Sequence, residues 1–200
     1  MKAGVIIFPG SNCDAETVRL LEHMEMDVQR LWHKDPAPKL DLYVLPGGFS
    51  YGDYMRAGAL ATYSPIMQDI KKYADDGRKI LGICNGFQIL CEAGILPGTL
   101  TRNDDNKFYC GWMTIRNGLK DHYYLPLANK IGKYYSDHRV NVANRYATMI
   151  PSDWDDLEVV AGVYNEKCNV LGMMPHPERA FEQYHASGDG VKVINNFVNL

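Results

Sequence analysis

The sequence predicts an α/β fold in which a mostly parallel sheet is flanked by helices. Short apolar runs alternate with amphipathic stretches through the first half of the chain. Strands alternating with helices imply right-handed crossovers and parallel pairing. Segments rich in glycine and proline follow directly on these runs, at the carboxyl ends where open α/β sheets collect ligands. Size agrees: 200 residues, 46% hydrophobic and 22% charged, can close a core without disulfides or metals. We read one domain over residues 1–200, with a β-rich insert over about 101–161 packed against the main sheet.

Gly4 to Phe8 reads as a buried strand. Ser11 or Asn12 is the predicted cap of a helix from Cys13 onward, with Glu16 in its first turn and Thr17, Leu20, Leu21 and Met24 on its apolar face. Val28 to Trp32 and Leu42 to Leu45 are the next strands. Ser64 is the predicted cap of a second helix, with Pro65 at its first position and Ile66, Ile70, Tyr73 and Ala74 on one face. Lys79 to Ile83 is a fourth strand. Beyond Thr101 the pattern loosens, and Trp112 to Arg116, Tyr123 to Leu127 and Lys133 to Val142 are the strand candidates. Val159 to Val163 and Val170 to Met174 return to buried-strand character. Val191, Ile194 and Val198 stripe a closing helix.

Composition excludes several functions. Lys plus Arg is 21 and Asp plus Glu is 24, a net charge of −3, so no basic excess points to nucleic acid. No run approaches the roughly 20 apolar residues of a membrane span, and Val5 to Phe8 is too short for a signal peptide. Five irregularly spaced cysteines suit reduced thiols in a cytoplasmic protein. There is no C-x-x-C, H-E-x-x-H or Walker-type loop, and we expect no metal.

Gly82-Ile83-Cys84-Asn85-Gly86 carries the most chemistry. It follows a strand and opens a helix, the G-x-nucleophile-x-G elbow with cysteine in the serine place. The flanking glycines admit a sharp turn, and the helix N-terminus favours a thiolate there. A buried cysteine in a strand-to-helix turn is common, and without the two glycines that blander reading would win. The Asn85 amide is then a candidate oxyanion donor.

A thiolate nucleophile needs a proton partner, usually a histidine held by a carboxylate. Among six histidines, His176 in Met174-Pro175-His176-Pro177-Glu178-Arg179 is the most constrained. The prolines favour extended backbone, in which residues i and i+2 face one way, so Glu178 can orient the ring. A His-Pro pair alone would only build a rigid loop. Pro46-Gly47-Gly48 lets backbone amides approach a ligand, with Gly48 as the second oxyanion donor; in isolation it would be just a glycine turn. Cys13 reads as part of a capped first turn and Cys91 as core.

Together, Leu45-Pro46-Gly47-Gly48, Gly82 to Gln88 and Pro175-His176-Pro177-Glu178 resemble the signatures of class I, triad-type glutamine amidotransferases. With Pro9-Gly10-Ser11-Asn12-Cys13-Asp14, Gly47 to Tyr54 and Gly172 to Arg179 added, the chain is similar over nearly its whole length to the glutaminase subunits of phosphoribosylformylglycinamidine synthase. The resemblance implies a flavodoxin-like core and hydrolysis of glutamine through a cysteine thioester. It makes Cys84 the nucleophile, His176 the acid/base, Glu178 its orienter, Gly48 and Asn85 the oxyanion donors, and Gln88 a substrate contact. It implies a synthetase subunit as partner, a small bridging subunit, and no cofactor in this chain, with ATP and magnesium on the synthetase. The chain departs from the family in the insert. An Ala-His-Gly-Glu-Gly run is usual there, and this chain has Ala128-Asn129-Lys130-Ile131-Gly132. That departure motivates the alternative of a non-catalytic regulatory or scaffolding subunit. A peptidase-like cysteine hydrolase is disfavoured by Gln88 and by the setting of His176.

Overall fold

The computed structural model describes residues 1–117, 121–147 and 159–200; the predicted insert partly lies outside them. Eleven strands and four helices are found among these residues: β1 (Lys2–Ile7), α1 (Asp14–His23), β2 (Asp27–Trp32), β3 (Leu42–Leu45), α2 (Ile66–Asp75), β4 (Lys79–Ile83), α3 (Asn85–Glu92), β5 (Thr99–Arg102), β6 (Tyr109–Asn117), β7 (Asp121–Asn129), β8 (Ile131–Tyr135), β9 (Asn141–Tyr146), β10 (Val160–Tyr164), β11 (Val170–Met173) and α4 (Asp189–Val198).

Nine strands form one sheet in the order β2-β1-β3-β4-β11-β10-β9-β6-β7. Its first half, β2-β1-β3-β4-β11, is parallel throughout. This is the flavodoxin-like order, and it places a topological switch point between β1 and β3. The fully buried runs Leu42–Leu45 and Val170–Met173 are apolar on both faces, as central parallel strands must be. From β10 to β7 the pairing is antiparallel.

The insert therefore does not pack on the sheet but lengthens it. β6, β7 and β9 join its edge, and only β5 and β8 form a separate two-stranded sheet. The stretch from Lys133 to Val142 is likewise two strands, not one. The backbone amide of His138 donates to the Ser136 hydroxyl, which itself donates to the His138 carbonyl, and this local bonding interrupts the run.

The helices cover the parallel half through the predicted faces. Thr17, Leu20 and Leu21 are buried on α1, and Ile66, Ile70 and Ala74 on α2. On α4 the stripe is rotated from the prediction, with Val193, Ile194 and Phe197 buried. The predicted caps are not made. Cys13 occupies the cap position of α1 and Pro65 that of α2, neither with a side-chain cap bond. Ser11 Oγ accepts from the Phe8 amide, and Ser64 Oγ joins His33 and Tyr51 in a buried polar cluster, so both hydroxyls are occupied elsewhere.

Candidate active site

The elbow is built as its residues require. Cys84 links β4 to α3 with φ 50° and ψ −104°, a left-handed backbone for a residue with a side chain. A Cβ at Gly86 would lie 1.9 Å from the Leu45 carbonyl oxygen, and one at Gly82 would lie 2.7 Å from the Gly86 carbonyl. Leu90 Cδ1, 2.5 Å from a Cβ at Gly82, could give way, but the Leu45 carbonyl is backbone, so glycine is obligatory at Gly86. The strained conformation is held by the Cys84 amide on the Met173 carbonyl (2.8 Å) and the Gln88 amide on the Cys84 carbonyl (3.1 Å). The thiol lies 3.6 Å from the Ala128 carbonyl oxygen, at the N-terminal end of α3.

His176 follows β11. Its amide donates to the Pro126 carbonyl of β7 (2.8 Å), which fixes the loop against the antiparallel half. Its Nδ1 donates to Glu178 Oε1 at 2.6 Å, with both side chains buried. The predicted pairing is thus made, although not by extended backbone: Pro177–Arg179 forms a 3-10 turn, and this turn swings the carboxylate back beneath the ring. Burial alone would lower the proton affinity of His176. The Glu178 carboxylate and the neighbouring Cys84 and Cys13 thiols outweigh it, and the imidazolium is held well above the usual histidine range. Nε2 is buried without a hydrogen-bond partner of good geometry among the described residues, and the Cys84 thiol is among the neighbours that act on the ring.

Gly48 completes the floor. Its φ is +147°, and a Cβ there would lie 2.8 Å from both the Asn12 amide nitrogen and the Gly10 carbonyl oxygen. Gly48 pairs with Ser11 across this junction, so the two glycine-containing segments hold each other at the ends of β1 and β3. The Asn85 side chain is committed to structure: Oδ1 accepts from the Ser50 amide (3.0 Å), and Nδ2 donates to Gln88 Oε1 (2.9 Å). As the first residue of α3, Asn85 leaves its backbone amide without an intrahelical partner. Gln88 Nε2 donates to the Ile131 carbonyl at 2.6 Å, so both ends of this predicted substrate contact are engaged by protein.

These groups meet at a cavity of about 310 Å3, lined by Cys84, His176, Gly48 and Gln88 among others. Sequence reasoning missed several parts of its wall, Asn12, Phe49 and Phe108 among them. Cys13 is no mere cap: its sulfur accepts from Arg179 Nη2 at 3.1 Å and borders the cavity, and burial pushes the thiol up. Arg179 and Asp53 also line the cavity, as does the departing segment from Ala128 to Ile131. The signal for Cys13 and Asp53 lay in the two glycine-containing motifs, Pro9 to Asp14 and Gly47 to Tyr54, which carry the resemblance without assigning these two side chains a role. Cys13, His176 and Glu178 bring metal-ligand atoms within 4.8 Å of one another. In this structure those atoms engage each other and Arg179.

Residues 1–123 match the family model of the CobB/CobQ-like glutamine amidotransferase domain. Fold and site together therefore define a glutamine amidotransferase. A subunit named phosphoribosylformylglycinamidine synthase subunit PurQ from Pyrococcus horikoshii is 41% identical over 217 residues, covering 99% of this chain and 97% of the relative. Its namesake from Nostoc sp. is 41% identical over 219 residues, with the same coverage. A solved structure, PurLQS from Thermotoga maritima, superposes with a TM-score of 0.90 at 40% identity, over 99% of this chain and 97% of that one. Another glutamine amidotransferase from Thermotoga maritima shares the fold alone, with a TM-score of 0.60 at 16% identity over 90% of this chain and 77% of that one. The chain belongs to the PurQ family of phosphoribosylformylglycinamidine synthase subunits.

Proposed function

We propose that the chain hydrolyses glutamine to glutamate and ammonia and supplies the ammonia to a synthetase subunit that makes phosphoribosylformylglycinamidine in de novo purine biosynthesis. One observation carries the catalytic assignment: a cysteine strained on a strand-to-helix elbow borders the same cavity as an imidazole bonded to a buried carboxylate. Cys84 Sγ adds to the side-chain amide carbon. The C–N bond breaks as the His176 imidazolium gives its proton to the departing ammonia. Water then attacks the glutamyl thioester, returns a proton to the imidazole, and releases glutamate and the free sulfur. Glu178 holds the ring and balances its charge. The Gly48 and Asn85 amides receive the oxyanion, where one such donor is worth about 2.7–4 kcal/mol of transition-state stabilisation.

The partners in this reading are the synthetase, which carries ATP and magnesium, and a small bridging subunit. PurLQS, by its name, supports such an assembly. No helix among the described residues is long and apolar enough to cross a membrane, and all five cysteines are free, which supports a cytoplasmic setting. The test is ammonia release from glutamine with and without the cognate synthetase, using wild type and Cys84→Ala. Cys84→Ala should fold, assemble and release no ammonia. A wild-type complex equally silent would favour the scaffolding alternative.

A further inference from the structure

Asp53 is the one carboxylate among the described residues lining the cavity. It ends a turn, Ser50–Asp53, in which both Tyr51 and Asp53 have φ 53°, and Met55 follows with φ 68°. Left-handed backbone at non-glycine residues is costly and persists only where the surroundings enforce it. Here the Tyr51 amide donates to the Pro9 carbonyl, the Tyr51 hydroxyl bonds His33 Nδ1 (3.0 Å), and the Ser50 amide donates to Asn85 Oδ1 (3.0 Å). The turn is thereby tied to the ends of β1 and β2 and to the residue after Cys84.

The carboxylate it presents is poorly compensated. Its polar contact is a long one, 3.4 Å from Asn85 Nδ2, and it makes no ion pair among the described residues. It is half-buried, and loss of solvent pushes the acid above the usual carboxylate range. A partly desolvated carboxylate without a cation, facing a ligand cavity, is arranged for a cationic ligand group. The same cavity carries Lys130 and Arg179, so it offers both signs of charge, as a zwitterion requires.

We propose that Asp53 determines specificity by receiving the α-ammonium group of the amino acid whose side-chain amide Cys84 attacks. This rests on the glutaminase reading and deepens it. Asp53 takes no part in proton transfer, which the pair His176 and Glu178 already serves.

The experiment compares glutamine with its desamino analogue, 5-amino-5-oxopentanoate, on the assembled complex with its synthetase. Asp53→Asn keeps size, tolerance of left-handed backbone and an acceptor for Asn85, while it removes the charge. It should lower kcat/KM for glutamine about 10- to 100-fold, the scale of a charge-assisted hydrogen bond, mainly through KM. The analogue should change by less than about twofold, so the preference for glutamine collapses. Equilibrium binding of both compounds to Cys84→Ala and to Cys84→Ala/Asp53→Asn complexes reads the same discrimination without turnover. Equal losses for both compounds, an unchanged preference, or a defect confined to assembly overturns the assignment while glutamine hydrolysis stands. A wild-type complex that neither binds nor hydrolyses glutamine overturns the glutaminase reading and this assignment with it.

Discussion

Gly86 and Gly77 separate two reasons for a glycine. At Gly86 an added methyl would overlap the Leu45 carbonyl, whereas at Gly77 it would meet open space, with only φ +79° against it. Gly77→Ala should therefore cost about 1–2 kcal/mol, the price of left-handed backbone, and leave catalysis intact. Gly86→Ala should cost about 3 kcal/mol or more and abolish activity, because β3 and the start of α3 must separate. Urea unfolding of both variants measures this, and equal costs would contradict the close approach. The five thiols give a second residue-scale test. Of the five, only Cys13 and Cys84 line the cavity, and burial raises the Cys13 thiol, so a glutamine-mimicking electrophile that must first occupy the cavity should label Cys84 alone, as read by peptide mass mapping; labelling of Cys13 would move the nucleophile. Cys84 was legible because flanking glycines report the demands of a sharp turn directly, and His176 and Glu178 because their close spacing in a proline-stiffened loop lets them meet, although by a turn rather than by extended backbone. Asp53 and the sulfur of Cys13 were not, because their direction depends on a left-handed turn and on Arg179, which lies 166 residues beyond Cys13.

At the scale of elements, the turn after β11 holds a buried charge pair, and its stability follows pH with a definite sign. The proton affinity of His176 is raised in the folded chain. Its contribution is therefore fully present below the unfolded value, about 6.5, and is lost as pH rises through the folded one. Glu178→Gln removes the partner that does most to raise it. The stability advantage of wild type over Glu178→Gln should shrink steadily from about pH 6 upward, at about 1.4 kcal/mol for each tenfold of proton affinity lost. Unfolding midpoints across this range test it, and an advantage that grows with pH would reverse the assigned charge state. The same turn shows where reading by elements stops. β1 to β4 and α1 to α3 were legible because each buries a local apolar pattern against its neighbours. The 3-10 turn was not, since the two prolines favour extended backbone while docking on Pro126 sets the actual path. Among the antiparallel strands, Trp112 to Arg116, Tyr123 to Leu127 and Val159 to Val163 were legible as strands, whereas β5, the break between β8 and β9, and the way these strands pair were not. Pairing of β6 with β9 is chosen between segments well apart in the chain, and half-exposed strands carry a weak pattern.

For the whole molecule, the cavity belongs to neither half of the sheet. Gly48 and Cys84 stand at the ends of parallel strands, whereas Ala128 to Ile131 arrive from the β7–β8 connection, and Gln88 on Ile131 clasps the two. His176 is likewise pinned to the antiparallel half through Pro126, while its Nε2 stays unbonded. The geometry of the cavity therefore rests on contacts from both halves, which a bound partner would hold together. Ammonia released before a partner is in place would be lost to water, so a site completed only on assembly suits the proposed task. The isolated chain should accordingly hydrolyse glutamine slowly, and titration with the synthetase should raise kcat about tenfold or more, saturating at a fixed stoichiometry. Gln88→Leu, which removes the clasp, should lower the activity of both the isolated chain and the complex, the isolated chain more, because assembly holds the halves from outside. Full turnover by the isolated chain, with no response to the synthetase, would mean that the arrangement is complete in the single subunit and that the halves do not regulate it.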